Sequence, residues 1–124
     1  MPKKVYRTAI YCRLSREDGD KVESNSIASQ RAICEDFIAK HDNLEIVCEP
    51  FIDDGYSGVS FNRPSFKKLE EAIRKGTIDC IVVKDLSRFS RNYIDGGRYL
   101  EKIFPQLGIR FIAINDAYDS LPGD

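Results

Sequence analysis

Apolar and polar positions alternate along this chain in blocks of two periods. Residues 5–12, "VYRTAIYC", are β-branched, aromatic and apolar, and predict a strand. "IDCIVVK" at 78–84 is a short continuous apolar run, the pattern of a strand covered on both faces. "IRFIAIN" at 109–115 predicts another strand, and "NLEIVCEPFID" at 43–53 predicts one more, with Pro50 near its end. Between them the spacing becomes helical. In "SIASQRAICEDFIAKH", Ile27, Cys34, Phe37, Ile38 and His41 recur on one face, with Ser24, Asn25 or Ser26 available as the cap. Pro64 opens a second helix, Phe66, Leu69 and Ile73 form its buried stripe, and Gly76 ends it. "RNYIDGGRYLEKIF" predicts a third helix with Leu100, Ile103 and Phe104 inward, although Gly96 and Gly97 each weaken it by roughly 1 kcal/mol relative to alanine.

The order β-α-β-α-β-α-β implies an α/β fold: a mostly parallel sheet of four to five strands flanked by helices. In such sheets the site lies beyond the carboxyl ends of the strands. Polar residues collect there: Arg13 and Ser15 after the first strand, and Asp54, Ser57 and Arg63 after the second. Lys84, Asp85, Ser87, Arg88 and Arg91 follow the third strand, and Asn115 and Asp116 the fourth. The second group lies in "DDGYSGVSFNRP", a long aperiodic loop of the kind that is functional or mobile; residues 54–62, with Gly55 and Gly58, are the candidate for mobility. No GxGxxG or GxxxxGK[ST] occurs, so no nucleotide cradle is expected. A crowd of arginines at one edge suits a reader of phosphate that works through side chains.

Composition narrows the picture. A chain of 124 residues with a formal net charge of −1 is expected to be a single domain over 1–124 that does not grip DNA tightly by itself. The neutrality hides two basic segments, residues 1–16 and 84–98. The four cysteines show no metal-binding spacing and read as reduced core thiols. With one histidine, His41, and no GxSxG, a serine hydrolase is disfavoured. No run approaches a membrane span and the N-terminus has no signal-peptide core, so a cytoplasmic protein is expected.

Four motifs in order, "YCRLSRED", "SIASQ", "DDGYSGVSFNRPSF" and "VVKDLSRFSRNY", resemble the catalytic domain of serine recombinases, the resolvase/invertase family, and most of all its large transposon-type members. The resemblance covers nearly the whole chain. It implies a site-specific DNA recombinase domain of the transposon excision or integration type, working through a 5′-phosphoserine intermediate. Ser15 matches the nucleophile and Arg13 the first active-site arginine. Gln30 matches a glutamine facing the site, Ser57 and Arg63 the polar pair of the long loop, and Arg88 and Arg91 the arginines after the third strand. Small resolvases carry an aspartate just before the first of these two arginines. Here that position is Ser87, with Asp85 two residues earlier, and no acid/base role is transferred to Asp85.

The resemblance also implies DNA as partner, self-association as a dimer and synaptic tetramer, and a dimerisation helix and DNA-binding modules that this chain does not contain. No metal or other cofactor is expected, because arginine forks take the place of a carboxylate cluster. The competing reading is a non-catalytic phosphate-binding or regulatory α/β domain, which has no need of Ser15.

Overall fold

The structure, a computed structural model, describes residues 4–15 and 26–120; Arg16, Ser24 and Asn25 lie outside them. The strands are β1 (Tyr6–Leu14), β2 (Leu44–Ile46), β3 (Phe51–Asp54), β4 (Cys80–Val83), β5 (Arg110–Ala113) and β6 (Tyr118–Asp119). The helices are α1 (Ile27–Ala39), α2 (Pro64–Arg74), α3 (Leu86–Phe89), α4 (Tyr93–Arg98) and α5 (Phe104–Gln106), with a π-helical turn, Tyr99–Ile103, joining the last two. The sheet runs β2-β1-β4-β5-β6, with β3 also on β1. All pairings are parallel except β5 with β6. The expected α/β class and mostly parallel sheet are therefore observed. Among the described residues no helix is long and apolar enough to cross a membrane.

β4 is buried at all four positions because both its faces are covered. Ile81 and Val83 join Tyr11, Phe66, Leu69, Phe89 and Phe111 on one side. Cys80 and Val82 join Ile10, Cys12, Cys34 and Ile38 on the other. The first cluster is largely aromatic: Phe89 lies within 6 Å, centroid to centroid, of Phe61, Phe66, Tyr99, Phe104 and Phe111. The second is roofed by α1, whose Ser26 cap accepts from Ser29 N (3.1 Å). All four cysteines are free, Cys48 half-buried and the others buried. Burial pushes the thiols of Cys12 and Cys80 up to about 12.

The sheet has six strands where four to five were expected, and the short β6 and α3 were not anticipated. Three of the expected elements also differ from the pattern-based expectation. First, β1 runs to Leu14, so Arg13 lies inside the strand. The extension is paired by β3, with Tyr11 opposite Phe51 and Leu14 opposite Asp54. Second, the single strand expected at 43–53 is two. Tyr6 faces Leu44 while Tyr11 faces Phe51, so two additional residues are absorbed around Pro50, which has no N–H for a ladder. Asp54 consequently ends β3 and does not belong to the loop.

Third, the helix expected from Arg91 begins at Tyr93. Asn92 caps it through its side-chain oxygen, which accepts from Ile94 N and Asp95 N (both 3.1 Å). It then widens into the π turn, in which Phe104 N reaches Tyr99 O. Pro105 follows, with no N–H to give and a ring that presses on the preceding turn, and the wider turn relieves both.

Candidate active site at the carboxyl edge of the sheet

The end of β1 is gripped by side chains from both faces. Gln30, fully buried on α1, treats the peptide of Arg13 as a neighbouring strand would. Its Oε1 accepts from Arg13 N (3.1 Å) and its Nε2 donates to Arg13 O (3.0 Å). The same carbonyl accepts a second bond from Arg88 Nη1 (2.9 Å). Ser15 follows one residue beyond β1 and is 9% exposed.

The Arg13 side chain is completely buried and spreads its donors over main-chain carbonyls of two segments. Nε reaches Arg88 O (3.1 Å), Nη2 reaches Ser87 O (2.6 Å) and Nη1 reaches Tyr56 O (2.9 Å). Arg13 thereby ties β1 to α3 and to the loop after β3.

α3 is short and is built around its N-terminus. Asp85 caps it, accepting from Arg88 N (3.3 Å) and from the Ser87 hydroxyl. Asp116, from the loop after β5, accepts from Leu86 N (2.6 Å). The Ser87 oxygen in turn accepts from Arg88 Nη2 (3.0 Å), and Arg88 Nε lies 3.5 Å from Asp85. Ser87 is thus a hydroxyl between a carboxylate and a guanidinium. Arg88 and Arg91 do not share a helix face: Ser90 is extended (φ −158°, ψ 143°), and Arg91 emerges exposed beyond it.

Arg63 precedes α2 and is 1% exposed. Its guanidinium lies over the rings of Phe61 (4.8 Å), Phe66 (5.7 Å) and Tyr11 (5.9 Å). Nε donates to Ser60 O (2.8 Å) and Nη1 to the Tyr11 hydroxyl (3.1 Å). An ion pair with Asp53 or Asp54 is the plain expectation for an arginine at this point in the chain. Instead the Tyr11 hydroxyl stands between, donating to Asp53 Oδ2 (2.8 Å).

Asp53 also accepts from Ser65 N and Phe66 N (both 2.9 Å), closing the first turn of α2. Burial pushes the Tyr11 phenol far above its ordinary range, against the pull of Arg63, so it remains a neutral hydroxyl able to donate and accept at once. Asp54, the neighbour expected at the site, is exposed at the end of β3. Ser57 is half-buried and accepts from Val59 N (3.1 Å), shaping the loop from within.

The edge therefore brings together Arg13, Ser15, Gln30, Arg63, Ser87 and Arg88, with Arg91 at its rim. Asp53 and Tyr11 were missed as parts of it. Beside Ser87 and Arg91 a groove of about 520 Å³ opens between α3 and α4. Tyr93, which lines it, is 97% exposed.

Comparison with known proteins accords with this geometry. The chain is 29% identical over 114 residues to a protein of Bacillus subtilis (strain 168) named "Putative DNA recombinase", covering 92% of this chain and 21% of that protein. The chain thus spans about a fifth of the length of this curated relative. The crystal structure of the N-terminal catalytic domain of TP901-1 integrase superposes with a TM-score of 0.79 at 26% identity, covering 92% of this chain and 81% of that one. A resolvase family site-specific recombinase from Streptococcus pneumoniae gives 0.72 at 28% identity, over 93% and 76%. Residues 8–123 match the family model described as the resolvase N-terminal domain, and by that match the chain belongs to the resolvase family.

Proposed function

We propose that this domain breaks and rejoins DNA phosphodiesters in site-specific recombination, with Ser15 as the attacking group. The serine oxygen forms a bond to phosphorus as the P–O3′ bond breaks. The 3′ oxygen leaves and takes up a proton, and the phosphoserine stores the bond energy for the reverse attack by a 3′-OH. The observation that carries the reading is the convergence of Arg13, Arg63, Arg88 and Arg91, from three stretches of chain, at the edge where Ser15 follows β1: Arg13 and Arg88 bond each other's carbonyls, and Arg63 and Arg91 meet at the carbonyl of Gly58.

Their roles differ by depth. Arg91 is exposed and meets a phosphoryl oxygen first. Arg13, Arg63 and Arg88 are almost wholly covered and act as fixed positive charge beneath it in a low-dielectric setting. Gln30, Ser57 and Ser87 hold them or the loop between them. The name of the Bacillus subtilis relative supports DNA as substrate, and the resemblance extends the reading to action within a dimer and synaptic tetramer, as part of a longer protein.

The test uses the full-length protein and a substrate nicked beside the crossover point, in EDTA. A covalent protein–DNA adduct is expected for the wild type and none for Ser15→Ala. An adduct that survives the substitution, or that needs Mg²⁺, overturns the reading. A non-catalytic phosphate-binding domain would give no adduct with either protein and equal affinity for both.

A further inference from the structure

Resting on the proposed strand-transfer reading, we infer that Gly58 is a positioning residue for the reaction: its peptide is the ledge on which Arg13, Arg63 and Arg91 are registered against one another, and its missing side chain is what lets them converge. The carbonyl of Gly58 accepts from Arg91 N (2.8 Å) and faces Arg63 Nη2 (3.5 Å). A β-carbon built on it would lie 2.8 Å from Arg13 Nη2, 2.9 Å from Arg13 Cζ and 2.9 Å from Arg91 Cγ.

Neither neighbour gives way cheaply. The Arg13 guanidinium is completely buried and anchored on three carbonyls. Arg91 is fastened to Gly58 itself through its main-chain N–H. The requirement is one of space, since Gly58 does not adopt the left-handed conformation. Gly55, three residues earlier, is the converse: its φ is +93°, and a β-carbon there meets nothing within 4 Å. One glycine serves the path of the chain; the other serves the arginines. The segment from Tyr56 to Ser60 is accordingly fastened to the site, with the carbonyls of Tyr56, Gly58, Val59 and Ser60 all engaged by side chains or amides of site residues and Asn92.

Gly58→Ala and Gly55→Ala in the full-length protein, in the nicked-substrate assay at saturating DNA, test the inference. Gly58→Ala is expected to slow adduct formation about 100-fold, the scale set by displacing a catalytic group by about 1 Å, with DNA affinity unchanged. It is also expected to move the Arg13 Nε–Hε resonance. Gly55→Ala is expected to lower the denaturation midpoint while keeping the cleavage rate. Near-wild-type cleavage by a folded Gly58→Ala, or an equal loss in both variants, overturns the inference while leaving the proposed reaction standing. Absence of any wild-type adduct removes the reaction and the inference together.

If Gly58→Ala is too unstable to assay, folding of Gly58→Ala/Arg91→Ala decides. Partial recovery of stability is expected, because truncating Arg91 removes its Cγ from the crowded site while the contacts with the Arg13 guanidinium remain. Simple additivity of the two losses overturns the inference.

Discussion

Gln30 acts on Arg13 as a strand of one residue, its amide oxygen and nitrogen taking the N–H and C=O of the same residue at 3.1 and 3.0 Å. Replacing it with alanine strands the Arg13 N–H in a dry interior, at about 1–3 kcal/mol for the unsatisfied group, and leaves the carbonyl to Arg88 alone. Gln30→Ala should lower the urea midpoint at unchanged slope. It should also slow adduct formation, because Arg88 holds the same Arg13 carbonyl. Retained stability would show that another group satisfies the Arg13 peptide.

The Asp53–Tyr11–Arg63 chain predicts an ordered pair of losses. Tyr11→Phe removes one hydroxyl but leaves the ring beneath Arg63, so the loss should be about 1–2 kcal/mol. Asp53→Ala removes the acceptor for two helix amides as well as for Tyr11, and should cost more, about 2–4 kcal/mol. Thermal unfolding of both variants checks the order. Tyr11→Phe should also release the Arg63 guanidinium, seen as faster exchange of its Nη protons.

Far from the site, Arg7 brackets Asp79. Nε and Nη2 of Arg7 donate to the carboxylate at 2.9 and 2.8 Å, and its main-chain N–H adds a third bond. These bonds, opposed by partial burial, hold Asp79 down to about 2. A carboxylate whose pKa is lower folded than unfolded contributes stability that is complete above about pH 4 and fades as the pH falls toward 2. Asp79→Asn should flatten the stability profile across that window and leave its slope near neutrality unchanged, as measured by denaturant melts at stepped pH.

Thiol labelling distinguishes the cysteines. Burial raises all four, Cys12 and Cys80 to about 12, but Cys48 is only half-buried. In native protein at about pH 8, iodoacetamide should modify Cys48 first, and the other three only upon unfolding. Mass spectrometry of a time course provides the check.

Much of this was legible in the sequence because it is written locally. The apolar run of β4, the Pro64–Gly76 helix and the placement of Ser15 after a strand each depend on a few adjacent residues. Gln30 left a signal too: it interrupts the stripe of Ile27, Cys34 and Ile38 with a polar group, and a polar residue on a buried face needs a partner. What escaped depends on partners distant in sequence. Asp53 caps a helix that begins eleven residues later only because β3 ends beside it. Tyr11 reads as any core aromatic until Arg63 is laid across it. The arginine pair Arg88 and Arg91 was split by one extended residue, Ser90, that no spacing rule anticipates.

The interruption of the outer strand at Pro50 bears on more than register. One margin of the sheet consists of two short strands with a break between them, and the other is β6, two residues long. Neither offers the long, straight row of unpaired amides on which a foreign strand can grow. Copies brought close together can therefore touch at these margins without zippering into a continuous sheet.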